Sequence, residues 1–509
     1  AGQLGLAGQV YEFGSGSPFD VQGATAAWLR ELHGFTWLGS LKRAETDEAD
    51  TIARRIVLDW CQRRRNTKSL AAEAALVHVR ARRLGAWLVN AGMLLEGAPH
   101  SFHHAFTRAL GHEISTLSRQ IGSAPSGPQR LACWMVLALA CLSLAGHDRH
   151  LPRIERALAS EFKRQFHHDG GHVSRNNDVV LELLLDLLPL RQCYLARGII
   201  TPPFVSNCIS AMTMALKAGS TTSRELARFN GVGISRSDTL ALVLSLDETL
   251  KRPETGIADS RYARLQQAGT TVIVDCGSPP PLQYASQAHA GCLSFELGSD
   301  DEAVIVNRGA PGPGHQTYHP DARATASHST LTIADQSSSR LVRSKRLEGG
   351  NTPPPIGGPD HVRSELTISD HEIQLISTHD GYLKRFGLLH ERRLTLKDNG
   401  TLLEGLDILR GPHPSLRLPH DLPVAIRFQI PVGSHIASRD EGYIITTHKG
   451  VRWRLSAEDC DISCEANIDF AQALGPTKAR MIVLRSTCTG ESQFSWRIQR
   501  LSGSDGASE

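Results

Sequence analysis

The chain has ten cysteines but no CxxC pair; Cys460 and Cys464, in CDISC, come closest. Paired-cysteine zinc sites are therefore not indicated. Several thiols sit inside apolar runs such as LACWMVLALACLSL and TVIVDCG. Free cysteine behaves there as a small hydrophobe, which favours a reducing compartment. A dominant charge is also missing. Lys and Arg total 55 against 52 Asp and Glu, a net +3 over 509 residues, so no global field points to nucleic acid. The local strip Arg63, Arg64 and Arg65 reads as a solvated helix end. No apolar run is long enough for a membrane span: Leu131 to Ala145 covers about 15 residues, against roughly 20 required. With no signal-peptide pattern after Ala1, the expectation is a cytoplasmic protein, or a periplasmic one if the N-terminus has been processed.

What is present falls into two patterns, and the length itself implies two or three domains. Up to about residue 228 the apolar residues recur at helical spacing. DEADTIARRIVLDWCQRR, with Ile52, Ile56, Val57 and Trp60, is one example. About eight such segments follow one another with short Gly, Pro, Ser and Asp loops, as in antiparallel helical hairpins. This suits an incomplete α/α toroid over 1–228. From 229 to 509 the pattern changes to period two in runs rich in Val, Ile, Thr and Leu, such as TVIVDCG, CLSFELG and HEIQLIST. KDNGT between two of these runs predicts a hairpin. The C-terminal part thus reads as a large antiparallel β-sandwich, making an α+β multidomain protein. Trp60, Trp87 and Trp134 sit in helical periodicity and read as core.

Polar residues crowd into FHHDGGHVSRNNDVVLELLLDLL at 166–188, directly before a leucine-rich helix. Asn177 or Asp178 reads as its N-cap. Gly170 and Gly171 suggest a turn with close backbone approach. Two further stretches, QAHAGCLSFELG and ARATASHSTLTIAD, place His289 and His328 at strand starts. Together the three stretches resemble the heparinase II/III-like family of polysaccharide lyases, through its DGG-x-x-x-R turn and its H-A-x-x-x-S-F and R-x-T-x-x-H-N-T strands. The resemblance implies an α/α toroid followed by a β-sandwich. It also implies β-elimination on a uronate-containing polysaccharide in a cleft between the two.

That reaction needs a group that neutralises the uronate carboxylate, a base for the C5 proton and an acid for the leaving oxygen. On the resemblance, His328 is a candidate base; among the remaining residues His172 is a second candidate base, and Tyr318, in the loop GHQTYHPDAR, is the candidate acid. Arg175, Asn176, Asn177, Asn230, His289 and Arg323 are candidate substrate contacts. The sequence departs from the family in three places. Asp178, Val179 and Val180 stand where a catalytic Tyr is expected, Gln129 and Arg130 where an Asn-His pair is expected, and Gly291 where Asp often follows the strand histidine. Gln429 lies near the place of a zinc-binding His, so a divalent metal in the sandwich is left open. Two alternatives stay open as well: a glycoside hydrolase using Asp169, Asp178 or Glu296, and a non-catalytic carbohydrate-binding protein. The expected partner is a polysaccharide or oligosaccharide, with no nucleic acid and no membrane span; a homodimer is left open.

Overall fold

The computed structural model describes residues 2–64, 70–246, 251–342, 354, 356–411, 421–439 and 442–501. The chain forms two compact units, Ala1–Gln165 with Glu182–Ile209, and Phe166–Leu181 with Ser210–Glu509.

The first unit is the helical one. Its helices include Ala26–Gly34, Asp47–Arg63, Val77–Val89, His100–Gln120, Pro128–Ser143 and Leu151–Gln165. Thr25 and Thr46 cap two of them, each side chain accepting from the backbone N–H three residues on. Trp28, Trp60 and Trp87 are buried among them. The apolar run from Leu131 is the interior helix Pro128–Ser143, apolar nearly all round because it is buried nearly all round. No described helix is long and apolar enough to cross a membrane. Arg63 ends its helix in ion pairs with Asp20 (2.5 Å) and Asp59 (2.7 Å); Arg65 lies outside the described residues. A hairpin of Gln3–Leu6 and Gln9–Glu12 precedes the helices. Its strands have four residues each and little burial, so helical periodicity gave no sign of them.

The second unit holds the antiparallel sandwich. Sheets of five and four strands carry residues 256–305 and the strands Leu331–Ile333, Leu422–Ile430, Asp461–Asp469 and Thr477–Cys488. A sheet of eight strands carries Val362–Ile368, Glu372–His379, Leu389–Lys397, Leu402–Arg410 and Ser492–Arg500, then Arg452–Ala457, Gly442–Thr446 and His435–Arg439. One core joins them: Leu265, Val272 and Phe295 from the first sheet, Ile426 and Ile482 from the second, and Leu394, Leu403 and Trp496 from the third. KDNGT is the hairpin expected, with Asp398, Asn399 and Gly400 all at positive φ. The helix Ser237–Ser245 interrupts the switch to strands, because composition changes before helical spacing ends.

Candidate functional site

The stretch 166–176 is a closed loop. Phe166 and His172 form an antiparallel bridge, and His167 N donates to Gly171 O (2.9 Å). Gly170 turns it at φ 81°, where a Cβ would lie 2.1 Å from the Ala211 carbonyl, so no other residue fits. Asp169 fastens the turn outward, accepting from Ser260 N (2.8 Å) and Ser260 Oγ (2.9 Å). The helix Asn177–Ala196 then starts from a cap one residue earlier than expected: Asn176 Oδ1 accepts from Asp178 N (2.9 Å). Asn177 packs instead against Gly219, and Asp178 accepts from Gly233 N (2.9 Å).

Arg175 is the hub. Its backbone is left-handed, at φ 58°. Its guanidinium donates to Ser260 O (2.9 Å), Gly277 O (3.2 Å), Ser278 O (3.1 Å), Arg261 O (3.0 Å) and Asp275 Oδ1 (2.6 Å). It also lies 4.7 Å over the Tyr262 ring. Burial disfavours its charge, but the Asp275 carboxylate outweighs this and raises its pKa. Tyr262 donates back to Arg175 O, and burial pushes its hydroxyl pKa up. Asn230, at φ 48°, donates to Tyr262 Oη (2.8 Å) and Asp275 Oδ2 (3.1 Å) and accepts from His289 N (3.3 Å).

From His289 the network reaches His328. The rings meet at Nδ1 and Nε2, 3.1 Å apart, and His328 Nδ1 lies 2.8 Å from Ala324 O. That carbonyl can only accept, so His328 carries its proton on Nδ1 and His289 donates to His328 Nε2. Burial holds His289 far below the usual histidine range and His328 at about 4. The His328 ring explains Gly291, since a Cβ there would stand 2.8 Å from His328 Cδ2. Arg323 donates to Ala288 O (2.8 Å) and Ala285 O (3.3 Å), and burial lowers its pKa to about 10. His172 stands edge-on to Phe166 and Tyr284, with Nδ1 held by Ser174 N (3.0 Å) and Oγ (2.7 Å); burial lowers it to about 3.

The second unit thus joins Arg175, Asn230, His289 and His328 in one network and fixes Asn176 and Arg323 to backbone. Tyr318 is half-buried, its ring 5.8 Å from that of Phe470. Exposure is 7% at Arg175, 2% at Asn230, 4% at His289, 1% at His172 and 0% at His328. The arrangement holds backbone segments together and offers almost no polar atom to solvent. The carboxylates of the hydrolase alternative are similarly engaged. Glu296, raised to about 7 by burial against the opposing pull of Arg228, accepts from Arg228 N (2.9 Å) and Asn307 N (2.8 Å).

A metal does not fit at Gln429, whose amide accepts from Arg308 (2.7 Å) and Asn467 (2.8 Å) and donates to Ala326 O (2.9 Å). Among the described residues no group of three or more His, Cys, Asp or Glu could hold a metal ion.

A second buried cluster lies in the eight-stranded sheet. His379 meets His390 (3.1 Å), which meets Asp407 (2.7 Å), and Asp407 also accepts from Arg392 (2.8 Å) and Trp496 (2.9 Å).

Residues 249–497 match the family described as Heparinase II/III-like, C-terminal. That region is a heparinase II/III-like C-terminal domain. Heparinase III aligns with it at TM-score 0.73 and 11% identity, over 98% of this chain and 82% of that one. Heparan sulfate lyase HepC from Pedobacter heparinus aligns at TM-score 0.62 and 14% identity, over 98% and 80%. At such identities the likeness is one of fold: an α/α toroid and an antiparallel β-sandwich. A curated relative, FtsZ-localized protein C of Caulobacter vibrioides (strain NA1000 / CB15N), is 26% identical over 99% of this chain and 87% of its own length.

Proposed function

We propose that this protein keeps the polysaccharide-lyase fold for recognising an acidic polysaccharide and does not carry out β-elimination with the His328, His172 and Arg175 set. One observation carries this reading: the guanidinium that would neutralise a uronate carboxylate is held by Asp275 and four carbonyls, inside the fold. Elimination requires that charge at the substrate, because the C5 proton is not acidic enough without it. The candidate base is similarly enclosed, with both His328 nitrogens hydrogen-bonded. Tyr318, the candidate acid, is not joined to either by a hydrogen bond among the described residues.

The test pairs turnover with binding. A panel of uronate-containing polysaccharides is incubated with the protein, and the ultraviolet absorbance of an unsaturated uronate is followed. Affinity electrophoresis on the same panel reads binding. Retarded migration with flat absorbance is expected. Absorbance that grows with wild type and not with a folded His328→Gln variant would establish a lyase instead.

A second reading comes from the curated relative, alike over nearly the whole chain. Its name supports placing this protein with FtsZ, hence in the cytoplasm. A fluorescent fusion is expected at FtsZ assemblies and dispersed when FtsZ is depleted. A fusion that stays diffuse in dividing cells would remove this reading.

A further inference from the structure

The eight-stranded sheet has a second face. Alternation turns Leu375, Leu394, Leu403, Leu455 and Trp496 into the core and leaves their neighbours on the opposite side. There the register lines up one polar residue from each of five adjacent strands. Gln374 lies opposite Thr395, Thr395 opposite Glu404, Glu404 opposite Arg497, and Arg497 opposite Ser456. With strands about 4.8 Å apart, this band runs about 19 Å across the sheet. It lines a groove of about 1000 Å³, to which Arg393, Arg439 and Tyr443 also contribute.

The groove's charges do not fully cancel: Arg393, Arg439 and Arg497 line it against Glu404 and Glu458. Glu404 is paired with Lys397 (2.7 Å). Glu391 is shared by two guanidiniums, Arg393 and Arg410, each at 2.7 Å. Arg497 donates only to the Ser456 hydroxyl (3.2 Å) and has no carboxylate partner among the described residues. Arg439 is exposed at the far strand. Unneutralised guanidiniums over a band of hydroxyl and amide groups suit a ligand that is both anionic and rich in hydroxyls. Planar guanidiniums match carboxylates as forks, and Gln374, Thr395 and Ser456 match hydroxyls.

We propose that this groove binds a polyuronate strand, a site separate from the buried network. The proposal rests on the acidic-polysaccharide reading above and gives it a location. The probe is a set of oligogalacturonates, titrated calorimetrically into the full chain at low and high salt. Wild type is expected to bind, more weakly as salt rises. Arg393→Gln with Arg497→Gln should weaken binding at least about tenfold with melting unchanged, because Arg410 still neutralises Glu391. Thr395→Trp, which fills the groove without changing charge, should do the same. Undiminished binding by both variants would reject the groove and leave the polysaccharide reading intact. No binding by wild type would reject both. Equal competition by poly-glutamate at matched charge would mark an acidic-peptide surface and overturn the saccharide assignment.

Discussion

Arg175 is held by five acceptors and a ring, at a backbone angle that costs a non-glycine residue energy. Truncating it would leave Asp275 buried without its cation. Arg175→Ala is expected to destabilise the protein by about 3–5 kcal/mol in chemical denaturation, and Arg175→Lys to recover only part, because an ammonium cannot reach so many carbonyls. The histidines set a pH dependence. Folded pKa values of about 4 for His328 and about 3 for His172 lie below the unfolded value of 6.5. Between these values the unfolded chain binds more protons, so the contribution is complete above about 6.5 and is lost as pH falls toward 4. Melting temperature should drop across that window, and His328→Gln should flatten part of the drop.

Single elements turn on small details of fit. Gly405 lies in the strand Leu402–Arg410, where a Cβ would stand 2.0 Å from the Trp496 ring. Trp496 is itself held by Asp407, so the ring cannot yield. Gly405→Ala is therefore expected to cost at least about 1–3 kcal/mol, read as a lowered denaturation midpoint. Asn176→Ala removes the cap of the helix Asn177–Ala196 and should cost about 1 kcal/mol, whereas Asn177→Ala should not show a capping loss. The sequence pointed to a cap here but placed it one or two residues late, because four neighbouring polar residues all suit the role and only the turn selects among them. KDNGT was legible because its turn demands positive φ. The four-residue N-terminal strands were not, having no apolar alternation to show.

At the scale of the molecule, architecture was far more legible than chemistry. Helical and two-residue periods each persist over hundreds of residues, and a core must honour them throughout. Whether Arg175 faces a ligand or Asp275 depends on an aspartate 100 residues away, which no local spacing encodes. The joining of His379, His390 and Arg392 with Asp407 is hidden for the same reason, since strand register alone unites them. The same pairing across distance bears on cutting the chain. Residues 166–181 belong to the sandwich-bearing unit, yet they precede its strands by some eighty positions. A fragment beginning at residue 229 would keep Tyr262, Asp275 and Ser260 but lose Arg175 and Asp169, their partners. It should be recovered largely as aggregate, and a synthetic peptide of residues 166–181 added in trans should raise the soluble yield. The loop before the leucine-rich helix would then act as a detachable keystone, contributed from far upstream to a sandwich that cannot close without it.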